Sequence, residues 1–170
     1  GKTTIAERLM QRRGDLIFSV SMTTREPRSY EREGEHYFFV TEPDFRRRVE
    51  EGELLEWAEV HGHLYGTPRR NLEVAVEREQ YLILDIDIQG ARQVRAAVAD
   101  AVSVFVLPPS GAELARRLIG RGSEDPLVQR RRLSNALAEL RAAEEFDHVI
   151  VNDSLDHSVE TVDAILRAEA

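Results

Sequence analysis

Apolar residues recur along this chain with two alternating periods, about 3.6 and short continuous runs. Ile5, Ala6, Leu9 and Met10 fall at helical spacing and predict a helix to about Arg13, broken by Gly14-Asp15. Leu16 to Val20 then reads as an interior strand, and Tyr37 to Val40 as a short one. Thr41, followed by Glu42-Pro43-Asp44, is a helix start, with the helix running to about Glu51 and closed by Gly52. Leu54 to Val60 alternates imperfectly as a strand, and His61-Gly62-His63 turns it into Leu64 to Pro68. From Arg69 to Glu79, Leu72, Ala75 and Val76 mark an amphipathic helix. Tyr81 to Asp87 is a buried strand, followed by a helix to about Val98 that Asp87 is placed to cap. Val102 to Leu107 is another strand, stopped by Pro108-Pro109, and Ser110 caps a helix through Leu114 and Leu118. A long helix from the Arg130 region to about Glu145 carries Leu133, Leu137 and Leu140, and His148 to Asn152 is the last strand. A final helix turns Val159, Val162 and Ile165 inward. Strand-helix alternation with continuous apolar strands predicts an α/β fold, its central parallel sheet flanked by helices.

Two polar stretches interrupt this plan. Ser21 to Glu35 carries Thr23, Thr24, Arg25, Arg28 and Arg32 with Pro27 and Gly34, and reads as a loop rich in anion ligands. Arg116, Arg117 and Arg121 precede a Gly/Ser/Pro turn, and Arg130 to Arg132 follow it; two Arg-bearing helical ends on such a joint have the makings of a lid. The expected organisation is a core of residues 1–19, 71–110 and 133–170, an inserted subdomain at 20–70 and a lid at 111–132. Arg46, Arg47 and Arg48 are read as a solvated face, and His61 and His63 as turn residues.

Bulk composition narrows the function. The 170 residues, 42% of them apolar, suffice for one sizeable core. A net charge of −8 argues against a general nucleic-acid or anionic-membrane binder, which needs a basic surface. Without cysteine there is no disulfide framework or thiolate metal site, and a cytoplasmic setting is expected. No apolar run approaches a membrane span, and no signal peptide is visible.

Chemistry enters at the start of the chain. Gly1-Lys2-Thr3 matches the last three positions of the phosphate-binding loop G-x-x-x-x-G-K-[ST], in which Lys reaches the β/γ-phosphates and the hydroxyl, here Thr3, holds Mg²⁺. Lys2 is the only lysine, as though the site required a compact ammonium. Asp85 and Asp87 lie at the C-terminal end of a predicted parallel strand, where α/β sheets place ligands. A cationic loop, an acidic strand end and an Arg lid suit phosphoryl transfer between nucleotides, which must gather negative charge and exclude water. A nucleoside monophosphate kinase fits.

Specific motifs sharpen this. Phe18 to Arg28, Tyr37 with Phe39-Val40, Gly52 to Trp57, Tyr65-Gly66, Ile83 to Gly90, Pro108 to Ser110, Gly120 to Gly122 and Val151 to Asp153 together make the chain resemble the guanylate kinases over nearly its whole length. The resemblance implies a P-loop kinase fold with a GMP-binding subdomain and a helical lid, using ATP, GMP and Mg²⁺. It implies that Arg25, Arg28, Tyr37 and Tyr65 hold the GMP phosphate, and that Ser21, Glu56 and Thr67 read guanine. A carboxylate such as Glu56 can accept from N1–H and N2–H₂ of guanine together, a donor pair adenine lacks. It further implies that Arg117, Arg121 and Arg132 act from the lid, with Arg28 opposite, on the transferring phosphoryl and ATP phosphates. Gly1, Lys2, Thr3 and Thr4 would serve the ATP phosphates, Asn152 and Asp153 the adenine, and Asp85 and Asp87 the region of GMP and metal.

The chain departs from that family where Tyr30 stands in place of a usual Gly after Pro27-Arg28-Ser29. It also lacks the first strand and the leading glycines of the loop, so a truncated start is expected. Two rivals are a protein-binding module that has kept the fold and lost catalysis, and a P-loop kinase acting on a phosphorylated sugar. Retention of Lys2, Thr3, Arg117 and Arg132 favours an enzyme over the first, and Glu56 with Ser21 a base-reading site over the second.

Overall fold

A computed structural model describes residues 1–119 and 140–169. They fall into two compact units, Ala6–Ala101 and Gly1–Ile5 with Val102–Ala170. The first helix, α1 (Lys2–Arg12), buries Ile5, Ala6 and Leu9, the stripe that its spacing predicts, while Met10 is exposed.

In the unit Ala6–Ala101, β1 (Leu16–Phe18) pairs in parallel with β6 (Tyr81–Ile83), Leu16 opposite Tyr81. A separate four-stranded sheet comprises β2 (Ser21–Thr23), β3 (Tyr37–Phe39), β4 (Leu54–Val60) and β5 (His63–Pro68), in the order β3-β2-β5-β4. β2 and β3 are parallel; β5 is antiparallel to both β2 and β4. The β4–β5 hairpin turns on two residues, His61 and Gly62, both at positive φ (53° and 80°), the backbone that matches the twist of the strands.

Helix α2 (Glu42–Glu50) covers this sheet through Phe45, which is fully buried among Leu54, Leu64, Met22, Val40 and Val49. Thr41 accepts from the Asp44 amide at its start, and at its end Gly52, at φ 71°, lets the Gly52 and Glu53 amides reach back to Val49 and Arg48. Arg46, Arg47 and Arg48 pair with Glu42, Asp44, Glu51 and Glu53 on the exposed side, a solvated face as expected. Helix α3 (Arg69–Glu77) leads to β6, and α4 (Ile88–Ala97) follows it.

In the other unit, β7 (Val104–Leu107) and β8 (His148–Val151) form a parallel pair. Ser110 caps α5 (Gly111–Ile119) through the Glu113 amide, and Ser154 caps α6 (Leu155–Ala168). α6 buries Ser158 and Val159.

Three elements differ from the sequence reading. Residues 21–23, expected to be loop, form β2, because β3 and β5 supply partners on both sides: Thr24 N donates to Leu64 O and Val40 N to Thr23 O. The strand expected over Tyr81 to Asp87 stops at Ile83, and the chain continues without strand pairing to the cap of α4. The helix expected to reach Glu145 ends as a 3₁₀ turn at Arg141–Glu145; its earlier part lies outside the described residues.

Candidate functional site

One row of side chains crosses the four-stranded sheet. Ser21 of β2 stands opposite Tyr37 of β3, and Thr67 of β5 opposite Glu56 of β4. Because Met22 pairs with Gly66, the next position along brings Ser21 level with Thr67. Directly opposed residues share a face, so Tyr37, Ser21, Thr67 and Glu56 form a line about 14 Å long, three strand spacings. Tyr65, two residues before Thr67, lies on the same face, and its ring meets that of Tyr37 edge-on at 6.0 Å. Five residues singled out in the sequence therefore share one surface.

At one end is a buried carboxylate. Glu56 is 4% exposed, and its Oε1 accepts from the Thr67 hydroxyl at 2.6 Å; Thr67 is fully buried. Burial raises the pKa of Glu56, the Thr67 hydroxyl opposes that, and the charge of nearby Asp87 adds to the rise. The register of β4 shifts between Leu54 and Glu56, so Leu55 is an extra residue in the strand. Such a bulge re-aims the side chains beyond it, and it is the source of the imperfect alternation in this stretch.

At the other end is a cationic cluster. Arg25 donates through Nε to the Tyr65 hydroxyl (3.2 Å), and its two terminal nitrogens reach the two oxygens of Glu31 (3.0 and 2.8 Å). Its guanidinium also lies over the Tyr37 ring, 5.5 Å from the centroid. The hydrogen bonds it donates to Glu31 hold Arg25 firmly protonated, and Arg25 in turn holds the Glu31 carboxyl below its usual range. The Tyr37 phenol is pushed up, first by burial, then by Tyr65 and Asp85, with Arg25 opposing. Arg28 extends into solvent, donating to the Tyr30 hydroxyl at 3.0 Å, with Glu31 at 3.8 Å. Glu31 is a partner the sequence reading did not single out: it sits six residues beyond Arg25 in irregular chain, where no periodicity links the two.

Asp87 caps α4 by accepting from Gly90 N at 2.8 Å. Asp85 lies in the connection just before it, close enough to Tyr37 for its charge to be felt.

In the other unit, Gly1 precedes α1, and Lys2, Thr3 and Thr4 form its exposed first turn. Asn152, 7% exposed, packs its amide against Gly1 so closely that a Cβ there would overlap it; its Oδ1 accepts from Ser158 at 3.1 Å. Asp153 is exposed and accepts from the Ser154 amide. Arg117 is a residue of α5, whereas Arg121 and Arg132 lie outside the described residues.

An α/β chain whose Gly-Lys-Thr opens a helix, and which also carries a buried carboxylate in a polar row beside an Arg/Tyr cluster, falls in the class of P-loop nucleotide kinases. Comparison with known proteins narrows that class. The guanylate kinase family model matches residues 1–169. A guanylate kinase of Thermotoga maritima is 46% identical over 169 residues, covering 99% of this chain and 82% of that protein. One of Trichodesmium erythraeum is 48% identical over 166 residues, covering 98% and 89%. The crystal structure of guanylate kinase from Anaplasma phagocytophilum superposes with a TM-score of 0.85 at 38% identity, over 99% of this chain and 81% of that one. The chain belongs to the guanylate kinase family, the ATP:GMP phosphotransferases. Neither rival reading is favoured by these relatives.

Proposed function

We propose that the protein transfers the γ-phosphoryl group of ATP to GMP, giving ADP and GDP, and that the sheet row binds GMP along its length. The observation that carries this is the buried Glu56 at one end of a line whose other end is Tyr37 beside Arg25 and Tyr65. Glu56, ionised, would accept from guanine N1–H and N2–H₂. With its hydrogen committed to Glu56, the Thr67 hydroxyl has only lone pairs to offer, so it would accept from the base rather than donate to O6. Ser21 completes that edge. Arg25, Tyr37 and Tyr65 would hold the GMP phosphate, with Glu31 keeping the Arg25 fork in its plane until the anion arrives. Arg28, largely exposed, is free to swing onto the same phosphate and balance charge as the phosphoryl group moves.

Gly1, Lys2, Thr3 and Thr4 would bind ATP phosphates at the start of α1, whose first turn contains no acidic residue. Asn152 and Asp153 would serve the adenine, and Arg117, Arg121 and Arg132 the transferring group. The Thr3 hydroxyl is a hard oxygen donor of the kind Mg²⁺ accepts alongside water and phosphate oxygens, and Asp85 and Asp87 would serve the GMP side. Bound there, Mg²⁺ would neutralise phosphate charge. GMP and ATP are the partners in this reading and the cytoplasm its setting; among the described residues no helix is long and apolar enough to cross a membrane.

The test is a coupled assay of ADP formation with GMP or AMP as acceptor. Turnover with GMP at least about 10³-fold better in kcat/KM is expected; equal use of AMP would refute the assignment of Glu56.

A further inference from the structure

Helix α4 lies against β4 at Glu56, and two of its residues meet that strand in unusual ways. Gly90 is buried in the first turn, and a Cβ built on it would overlap Glu56 Oε2, come within 3.0 Å of Glu56 Cδ and lie 3.4 Å from Asp87 Oδ1. Its φ is not positive, so the backbone does not require glycine. Inside a helix glycine is disfavoured relative to alanine, and what it supplies here is space for the carboxylate. One turn further, the Gln93 side chain engages both main-chain groups of Trp57: Oε1 accepts from Trp57 N at 3.1 Å and Nε2 donates to Trp57 O at 2.6 Å. Among the described residues β4 is the edge strand of its sheet, and the Gln93 amide takes the place of a strand partner at the residue next to Glu56.

We propose that Gly90 and Gln93 are positioning residues for guanine selection: Gly90 admits the Glu56 carboxylate to its seat against α4, and Gln93 locks the strand that carries it. The proposal rests on Glu56 reading the base. Thr67 fixes Oε1, the Gly90 backbone bounds Oε2, and Gln93 fixes the adjoining peptide, so the carboxylate plane is set from three directions. An added methyl at residue 90 must push the carboxylate off that plane or drive α4 from β4. A small rotation of the acceptor pair misaligns it with N1–H and N2–H₂, which weakens GMP without touching the ATP side.

The test is steady-state kinetics of Gly90→Ala, Gln93→Ala and Glu56→Ala, with GMP, AMP and ATP each varied, alongside thermal melts. For Gly90→Ala, KM for GMP rises about tenfold or more, KM for ATP stays within about twofold, and the GMP preference over AMP falls. Gln93 is partly exposed and tolerates truncation, so Gln93→Ala folds and gives a smaller change of the same kind, about threefold. In the Glu56→Ala background, Gly90→Ala changes KM for GMP no further, a loss of additivity expected if the glycine acts on GMP through that carboxylate. If Glu56→Ala leaves the GMP-to-AMP ratio unchanged, the base-reading role falls and this proposal with it. If Glu56→Ala changes the ratio while Gly90→Ala and Gln93→Ala leave KM for GMP at the wild-type value, or lower turnover with both acceptors equally, this proposal alone is overturned.

Discussion

Replacing Thr67 with valine deletes one hydroxyl and leaves the shape of the side chain nearly intact. That hydroxyl donates to Glu56 Oε1 at 2.6 Å, within the range of a short O–H···O⁻ bond, between residues that are 0% and 4% exposed. Water cannot readily take its place. A hydrogen bond to a charged group contributes about 1.5–3 kcal/mol, so Thr67→Val should cost the ligand-free protein about 2 kcal/mol at pH 8. That is roughly a thirtyfold change in the folding equilibrium and a Tm lower by about 4–8 °C for a chain of this size. The cost depends on pH. Burial holds the folded pKa of Glu56 above the 4.5 of a free glutamate side chain, so the stability its protonated form confers is present below pH 4.5 and is lost as pH rises through the folded pKa. The Thr67 hydroxyl favours the ionised form, and its removal raises the folded pKa further. The gap between wild type and variant should therefore open as pH increases from 4.5. Urea unfolding of both proteins at pH 4.5, 6 and 8 reads this directly, the midpoint shifting at unchanged slope. A loss of the same size at every pH, or one below about 0.5 kcal/mol at pH 8, would show that the hydroxyl does not stabilise a buried charge.

Related expectations concern the same surface. As Glu56 must be ionised to accept from guanine and burial raises its pKa, 1/KM for GMP should fall as pH drops through that pKa while KM for ATP stays flat; a GMP profile unchanged from pH 8 down to pH 4.5 would separate Glu56 from the base. Arg28→Ala should lower kcat about 10²-fold at unchanged Tm, since its side chain is largely exposed and packs little; wild-type turnover would remove it from the phosphoryl site. Glu31→Gln should lower Tm by about 3 °C at pH 7. Because Arg25 holds the Glu31 carboxyl low, the difference should persist down to acid pH and vanish only as pH falls through that depressed value; a melt series from pH 7 to pH 3 checks it.

Local pattern carried much of this protein into view. The helical stripe Ile5-Ala6-Leu9, the Thr41 and Ser110 caps and the His61-Gly62 turn are decided within a few residues of themselves, so a reading of the chain finds them. The candidate residues were legible for another reason: carboxylates, guanidiniums and phenols have few uses in apolar-strand surroundings, and their motifs match a known family. Other features depend on contacts between distant parts of the chain. Ser21-Met22-Thr23 is too short and polar to show a period; it is a strand because β3 and β5 offer peptide groups on either side. The alignment of Tyr37, Ser21, Thr67 and Glu56 follows from pairing register, which slides by whole residues without any change in composition. The Leu55 bulge, the Glu31 fork on Arg25 and the absence of a side chain at Gly90 are of the same kind. Propensity and periodicity act between near neighbours, whereas strand register and side-chain clearance are settled between segments far apart in sequence; the chemical groups could be named from the chain, and their common face came from the fold.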